Sequence, residues 1–187
     1  MMATSLAAQS DRDKDDKEPS RIGFGVNLGN IRFYNRTFEF GLAPNVAYRV
    51  TESLALGFML KADFFSTKYY DFNDNAYKFS SFDFGPTVFA RLKPLWSWDG
   101  ATPFLRGIFL QAEYEKAFLT RADPNQPLVP GDPVPKIKLQ QDYVYIGLGS
   151  SSGYPFSTNV SIHYNILDDI DSVKNPFSYR IGFTYNY

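Results

Sequence analysis

The chain has 187 residues, 44% of them apolar and 18% aromatic, so one domain with a sizeable core is the default and wholesale disorder is excluded. It carries no Cys, a single His, and 19 Lys+Arg against 20 Asp+Glu for a net charge of -1. Thiol, haem and most zinc sites therefore lack their ligands, no cofactor is expected, and no basic excess steers the chain toward nucleic acid.

No segment approaches the roughly 18 consecutive apolar residues of a transmembrane helix. A transmembrane β-strand only has to alternate, so a mean hydropathy of -0.30 is compatible with membrane insertion. At the N-terminus, MMATSLAAQ reads as the tail of an export signal cut near Ala7 or Ala8, without the basic and apolar regions that precede such a site. Residues 11–20, DRDKDDKEPS, are nearly all charged and predict a hydrated periplasmic linker, which divides the chain into 1–20 and a barrel over 21–187.

From Arg21 onward the hydrophobic period is two. It predicts eight strands, at 21–30, 33–49, 53–69, 77–93, 101–119, 138–150, 154–167 and 177–187. In the second, Phe38, Phe40, Leu42, Pro44, Val46 and Tyr48 share one face. In the third, Leu54, Leu56, Phe58, Leu60, Ala62 and Phe64 do so, and in the fourth Phe82, Phe84, Pro86, Val88, Ala90 and Leu92. Pro44 and Pro86 each remove a ladder donor, and Pro86 predicts a bulge. In the fifth segment, Arg106 shares the lipid-side parity of Ile108 and Leu110 and is expected to snorkel to the interface. The last strand sets Tyr179, Ile181, Phe183, Tyr185 and Tyr187 against Ser178, Arg180, Gly182, Thr184 and Asn186. An apolar face opposed to a small or polar one is the pattern of a strand between lipid and a barrel lumen.

The connections form two sets. Turns at 50–52, 94–100 and 151–153 would be periplasmic, and those at 31–32, 70–76, 120–137 and 168–176 extracellular. The longest loop, with five prolines, predicts a stiff extended segment. Tyr48, Trp96, Trp98, Tyr154, Phe156, Tyr185 and Tyr187 would mark the periplasmic interface, and Tyr69, Tyr70, Tyr77, Tyr114 and Phe118 the outer one.

The polar parity fills the lumen with Glu39, Arg49, Lys61, Asp63, Asp83, Arg91, Glu113, Glu115, His163 and Arg180. Unpaired buried charges are costly, so an ion-pair network that plugs the barrel is expected, with Arg180 meeting Asp63, Asp83, Glu113 or Glu115. Eight strands enclose room for side chains only, which disfavours a porin. Catalytic equipment is sparse. Ser161 and His163 share a strand face, but a base separation of roughly 6 to 7 Å reads as long for a nucleophile and its base, and Glu39 or Glu113 would have to orient the ring. Asp168, Asp169 and Asp171 read as a solvated acidic turn rather than a cation site, and no metal ligand set is expected.

The run GFGVNLGNIRFYNRTFEFGLAPNVAYRVTESLALGF, the segments GPTVFARLKPL and QAEYEKA, and the closing YNILDDIDSVKNPFSYRIGFTYNY resemble the small outer-membrane β-barrels found widely in Bacteroidetes. The resemblance spans about 21–187 and is strongest in the final hairpin, where an aspartate-rich turn, Asn175 and Pro176, and an aromatic strand with Arg180 occur together. It implies a single barrel with no defined catalytic motif; the proline-rich loop departs from it. The combined expectation is an all-β, eight-stranded antiparallel up-and-down transmembrane barrel in the cell outer membrane. It would be non-enzymatic, structural or an accessory subunit. Its partners would be outer-membrane lipid, lipopolysaccharide and other outer-membrane or periplasmic proteins. The alternatives are a lipid-modifying hydrolase of the outer leaflet and a soluble lipocalin-like binding protein, in which the charged face would point outward.

Overall fold

A computed structural model describes residues 21–34, 37–70, 76–127, 129, 132–153, 155–167 and 176–186. The period-two segments fold as eight strands: β1 (Ile22–Tyr34), β2 (Thr37–Arg49), β3 (Leu54–Tyr70), β4 (Ala76–Leu92), β5 (Ile108–Ala122), β6 (Lys136–Ser152), β7 (Phe156–Asn165) and β8 (Phe177–Asn186). Each is antiparallel to its chain neighbour, and β1 pairs with β8 from Gly23 opposite Asn186 to Gly29 opposite Arg180, so the sheet closes on itself. Closure leaves no strand edge, which a bilayer would not tolerate.

The face pointing away from the axis is apolar around the whole circumference. Leu42, Phe58, Val88, Leu148, Val160, Ile181 and Phe183 are all exposed there, with Phe82 at 62% and Tyr179 at 66%. The interior holds Lys61, Asp63, Asp83, Glu113, Glu115 and Arg180, each buried. A soluble monomer does not carry a continuous apolar belt and bury its charges. The lipocalin alternative is therefore overturned, and the arrangement is that of a transmembrane β-barrel. On the β3 and β4 hairpin the belt ends at Phe64 and Phe82. Beyond them the outward residues are Ser66 paired with Ser80 and Lys68 opposite Lys78, in an extension toward the long loops. Outward positions of β6 likewise change from Leu148, Ile146 and Val144 to Asp142, Gln140 and Lys138.

Three apolar clusters flank the charged middle. Ala43, Met59 and Phe89 pack toward the end that holds both termini. Toward the long-loop end Ala117, Leu119, Tyr143 and Tyr145 form one group, and Tyr77, Phe79 and Val134 another. Tyr77 is only 5% exposed, so it lies inside the barrel and not in the outer aromatic girdle. Its parity is that of Phe79 and Ser81, which face inward.

Several expected boundaries shift. Residues 31 and 32 do not form a turn, because β1 continues to Tyr34. The irregularity falls instead between Gly29 and Arg32, where the β1 register with β2 slips. Pro86 makes no bulge: β4 keeps one register with β3 and another with β5 throughout. Pro86 pairs with Leu60, whereas the ladder to β5 passes from Phe84 to Thr87, so the missing donor costs a local ladder step and no inserted residue. Pro44 behaves alike, paired with Val26 and skipped on the β3 side.

Residues 101–107 are not strand. Thr102 caps a short helix, α1 (Pro103–Arg106), accepting from the Leu105 N–H with Pro103 at the helix start. Arg106 closes that turn, donating to the Asp99 carbonyl at 3.3 Å, and so does not extend β5 as a snorkelling residue. Gly107 joins α1 to β5, and a Cβ there would stand 2.1 Å from the Ser151 carbonyl oxygen, which only glycine avoids. The β6 to β7 turn needs Gly153 for its φ of 100°.

Candidate functional site

The parity of β3, β5, β7 and β8 brings their polar residues to one level of the lumen. Glu113 on β5 is the hub. Its Oε1 accepts from Arg180 Nη1 of β8 and from Gln111 Nε2 at 2.6 Å, and its Oε2 lies 2.9 Å from Lys61 Nζ of β3. Lys61 also donates to Glu115 Oε2 at 2.7 Å. Arg180 donates from Nε to Ser178 at 3.2 Å, and both cations lie over the Tyr145 ring, Lys61 Nζ at 4.5 Å and the Arg180 guanidinium carbon at 5.7 Å. Glu113 and Glu115 are 2% and 0% exposed, so two buried carboxylates are balanced by two cations and supplementary donors.

Small residues make room for this cross-lumen packing. A Cβ at Gly85 would stand 2.6 Å from Glu115 Oε1, and one at Gly147 would stand 2.3 Å from His163 Nδ1. The residual space beside Lys61, Asp63, Glu115 and Arg180 is about 20 Å³, room for one water at most.

His163 and Ser161 lie closer than their backbone spacing suggests, with Nε2 2.9 Å from Oγ. The imidazole reaches back along β7 toward the hydroxyl and spans the gap between same-face neighbours. His163 Nδ1 is 3.5 Å from Glu113 Oε1, the oxygen already held by Arg180 and Gln111. The order of serine, imidazole and carboxylate is that of a hydrolytic relay, but all three groups are buried.

The other expected lumen charges are spread along the barrel. Asp63 is buried beside the small residual space. Asp83 accepts from the Thr120 backbone N–H at 2.8 Å and from Arg121 Nη1 at 2.6 Å. Arg121 was assigned to a loop by the sequence reading, yet it sits on β5 with the odd parity of Glu113 and Glu115. Glu39 is half-buried in β2, opposite Arg32 and Phe65 in register. Arg49 and Arg91 turn to the mouth at the end with the termini, where Arg91 Nε donates to Gln111 Oε1 at 2.7 Å. Ser178 stands on the polar face expected of the last strand, whereas Gln111 and Tyr145 share the inward parity of Glu113 without an ionised group to mark them in the sequence as lumen residues.

Among the aromatics, Tyr48 and Trp98 are exposed, and Trp96 lines the same mouth with Lys93 Nζ 5.2 Å from its ring. Tyr185 packs against Phe156 in a tilted arrangement with ring centres 4.6 Å apart. Tyr154, Tyr187 and the acidic turn with Asp168, Asp169 and Asp171 lie outside the described residues, as do residues 1–20. Among the described residues no group of three or more His, Asp or Glu is placed to hold a metal ion.

A closed eight-stranded antiparallel sheet with an apolar exterior and a charged, filled interior defines a transmembrane barrel of the outer-membrane type. No protein-family model and no curated protein matches the sequence. Among solved structures the chain is similar to the N-terminal β-barrel domain of OprF from Pseudomonas aeruginosa, at 12% identity and a TM-score of 0.54, over 91% of this chain and 100% of that one. The outer membrane protein Ail of Yersinia pestis, solved in a phospholipid bilayer nanodisc, aligns at 10% identity and a TM-score of 0.45 over 90% of this chain and 99% of its own. The likeness to the OprF domain carries the fold.

Proposed function

We propose that the protein is a non-enzymatic barrel of the outer membrane, acting as a structural element or as an accessory subunit of a larger envelope assembly. The observation that carries this reading is the lumen filled by the hydrogen-bonded Lys61, Glu113, Glu115 and Arg180, with about 20 Å³ of space left beside them, which argues against an open channel. Without an open channel, the surfaces left for biology are the outer hairpin extensions, the lipid-facing belt and the mouth near the termini. The proposal includes outer-membrane lipid and lipopolysaccharide as surroundings, envelope proteins as partners, residues 1–20 as an export remnant and periplasmic linker, and kinship with the small Bacteroidetes barrels. Mild crosslinking and co-purification from native membranes test it: a reproducible envelope partner is expected, together with no conductance steps in planar bilayers. A strictly monomeric, conducting species would contradict it.

A second reading, an outer-leaflet lipid hydrolase, draws on the 2.9 Å contact of Ser161 with His163. It is weaker because the hydroxyl faces a packed interior, where a lipid ester has no entry.

A further inference from the structure

At the end of the barrel that holds both termini, a cavity of about 90 Å³ is lined by Arg21, Arg49, Arg91 and Lys93, with Glu52 as the one carboxylate on its wall among the described residues. These cations come from three places in the chain: Arg21 precedes β1, Arg49 ends β2, and Arg91 and Lys93 lie at the end of β4. None of the four forms an ion pair with a carboxylate among the described residues. Arg91 instead uses the neutral Gln111 and lies 4.3 Å over the Phe109 ring, while Lys93 lies over Trp96. Deeper in the lumen every cation of the hub meets a carboxylate, so the mouth differs in kind. Ser151, Ser157 and Thr184 complete the wall with hydroxyls.

Converging cations that share one cavity repel one another and favour a bound anion. Guanidinium forks match tetrahedral oxyanions in a way that a lone ammonium does not, and the space fits one such group. We propose that this mouth binds a small doubly charged oxyanion of the phosphate or sulfate type, held by Arg49, Arg91 and Lys93. Burial and the neighbouring Arg91 and Arg49 push the Lys93 ammonium down to about 8. The other charged groups facing it are Arg21, Arg49, Arg91 and Glu52.

The same chemistry is offered by a free oxyanion and by the phosphate of a lipid headgroup at the rim. The experiment uses the full chain, folded in zwitterionic micelles without phospholipid and carrying Trp98→Phe, so that Trp96 reports on the cavity. Titration with sodium phosphate or sulfate at constant ionic strength should give a saturable fluorescence change, weakened about tenfold or more by Arg49→Gln or Lys93→Gln. Both variants are expected to keep the unheated gel mobility of the folded barrel, since neither residue joins the Glu113 hub. Sulfate affinity should fall several-fold from pH 7 to pH 9 in the parent and fall clearly less in Lys93→Gln. A response only to vesicles containing phosphatidic acid, still lost in Arg49→Gln, would assign the site to a headgroup. No saturable response to either probe, or one indifferent to Arg49 and Lys93, would overturn the proposal.

Discussion

Arg180 crosses the lumen from β8 to reach Glu113 on β5, and its removal leaves that buried carboxylate with Lys61 as its remaining cation. Arg180→Leu should therefore destabilise the barrel by about 3 kcal/mol, seen as a lower urea midpoint in detergent, and adding Glu113→Gln should recover part of the loss because the stranded charge goes with it. An unchanged midpoint would place Arg180 in solvent or lipid. His163→Gln should leave fatty-acid release from phospholipid or lipid A at background, and a clear His163-dependent release would promote the hydrolase reading. Parity in the sequence says on which side of the sheet a residue stands, but not how far around the lumen it reaches. Four carboxylates were open as partners of Arg180 because register is set by all eight strands together. The contact of Ser161 with His163 was misjudged for a related reason: backbone spacing limits Cβ positions, while a flat ring closes several ångströms beyond them.

At the scale of single strands, close packing between neighbours sets what each position accepts. A Cβ at Gly57 of β3 would stand 2.3 Å from the Phe89 ring and 2.5 Å from the Val46 carbonyl oxygen. Gly57→Ala should cost about 1 to 3 kcal/mol, whereas Gly100→Ala in the turn before α1, with its nearest contact 3.4 Å away on Trp98, should be close to neutral. Equal effects in urea titrations would contradict this packing. Strand existence was legible because lipid and lumen impose opposite polarities on alternate residues. Strand ends were not, since alternation carries on into turns by chance: Phe104 and Arg106 continue the rhythm of β5, although Thr102 followed by Pro103 is a helix-start signal. At β1 the slip between Gly29 and Arg32 breaks the rhythm before the strand ends, so the sequence reading stopped early.

For the molecule as a whole, stability rests on matching the apolar belt to a bilayer while keeping charge on the axis. Ile146 lies in the outward run with Val144 and Leu148, so Ile146→Arg should cost about 2 to 4 kcal/mol in a phospholipid bilayer. Lys138→Leu, on the same strand beyond the belt, should cost little. The lack of native cysteine allows nitroxide labels to be placed singly along β6 without background. The most direct test of the whole account is therefore a label scan over positions 143 to 148 in vesicles, comparing collision with lipid-soluble oxygen against a water-soluble nickel chelate. The account predicts strong oxygen contact at 144, 146 and 148 and little at 143, 145 and 147; the opposite alternation, or none, would contradict a lipid-facing apolar belt around a charged lumen.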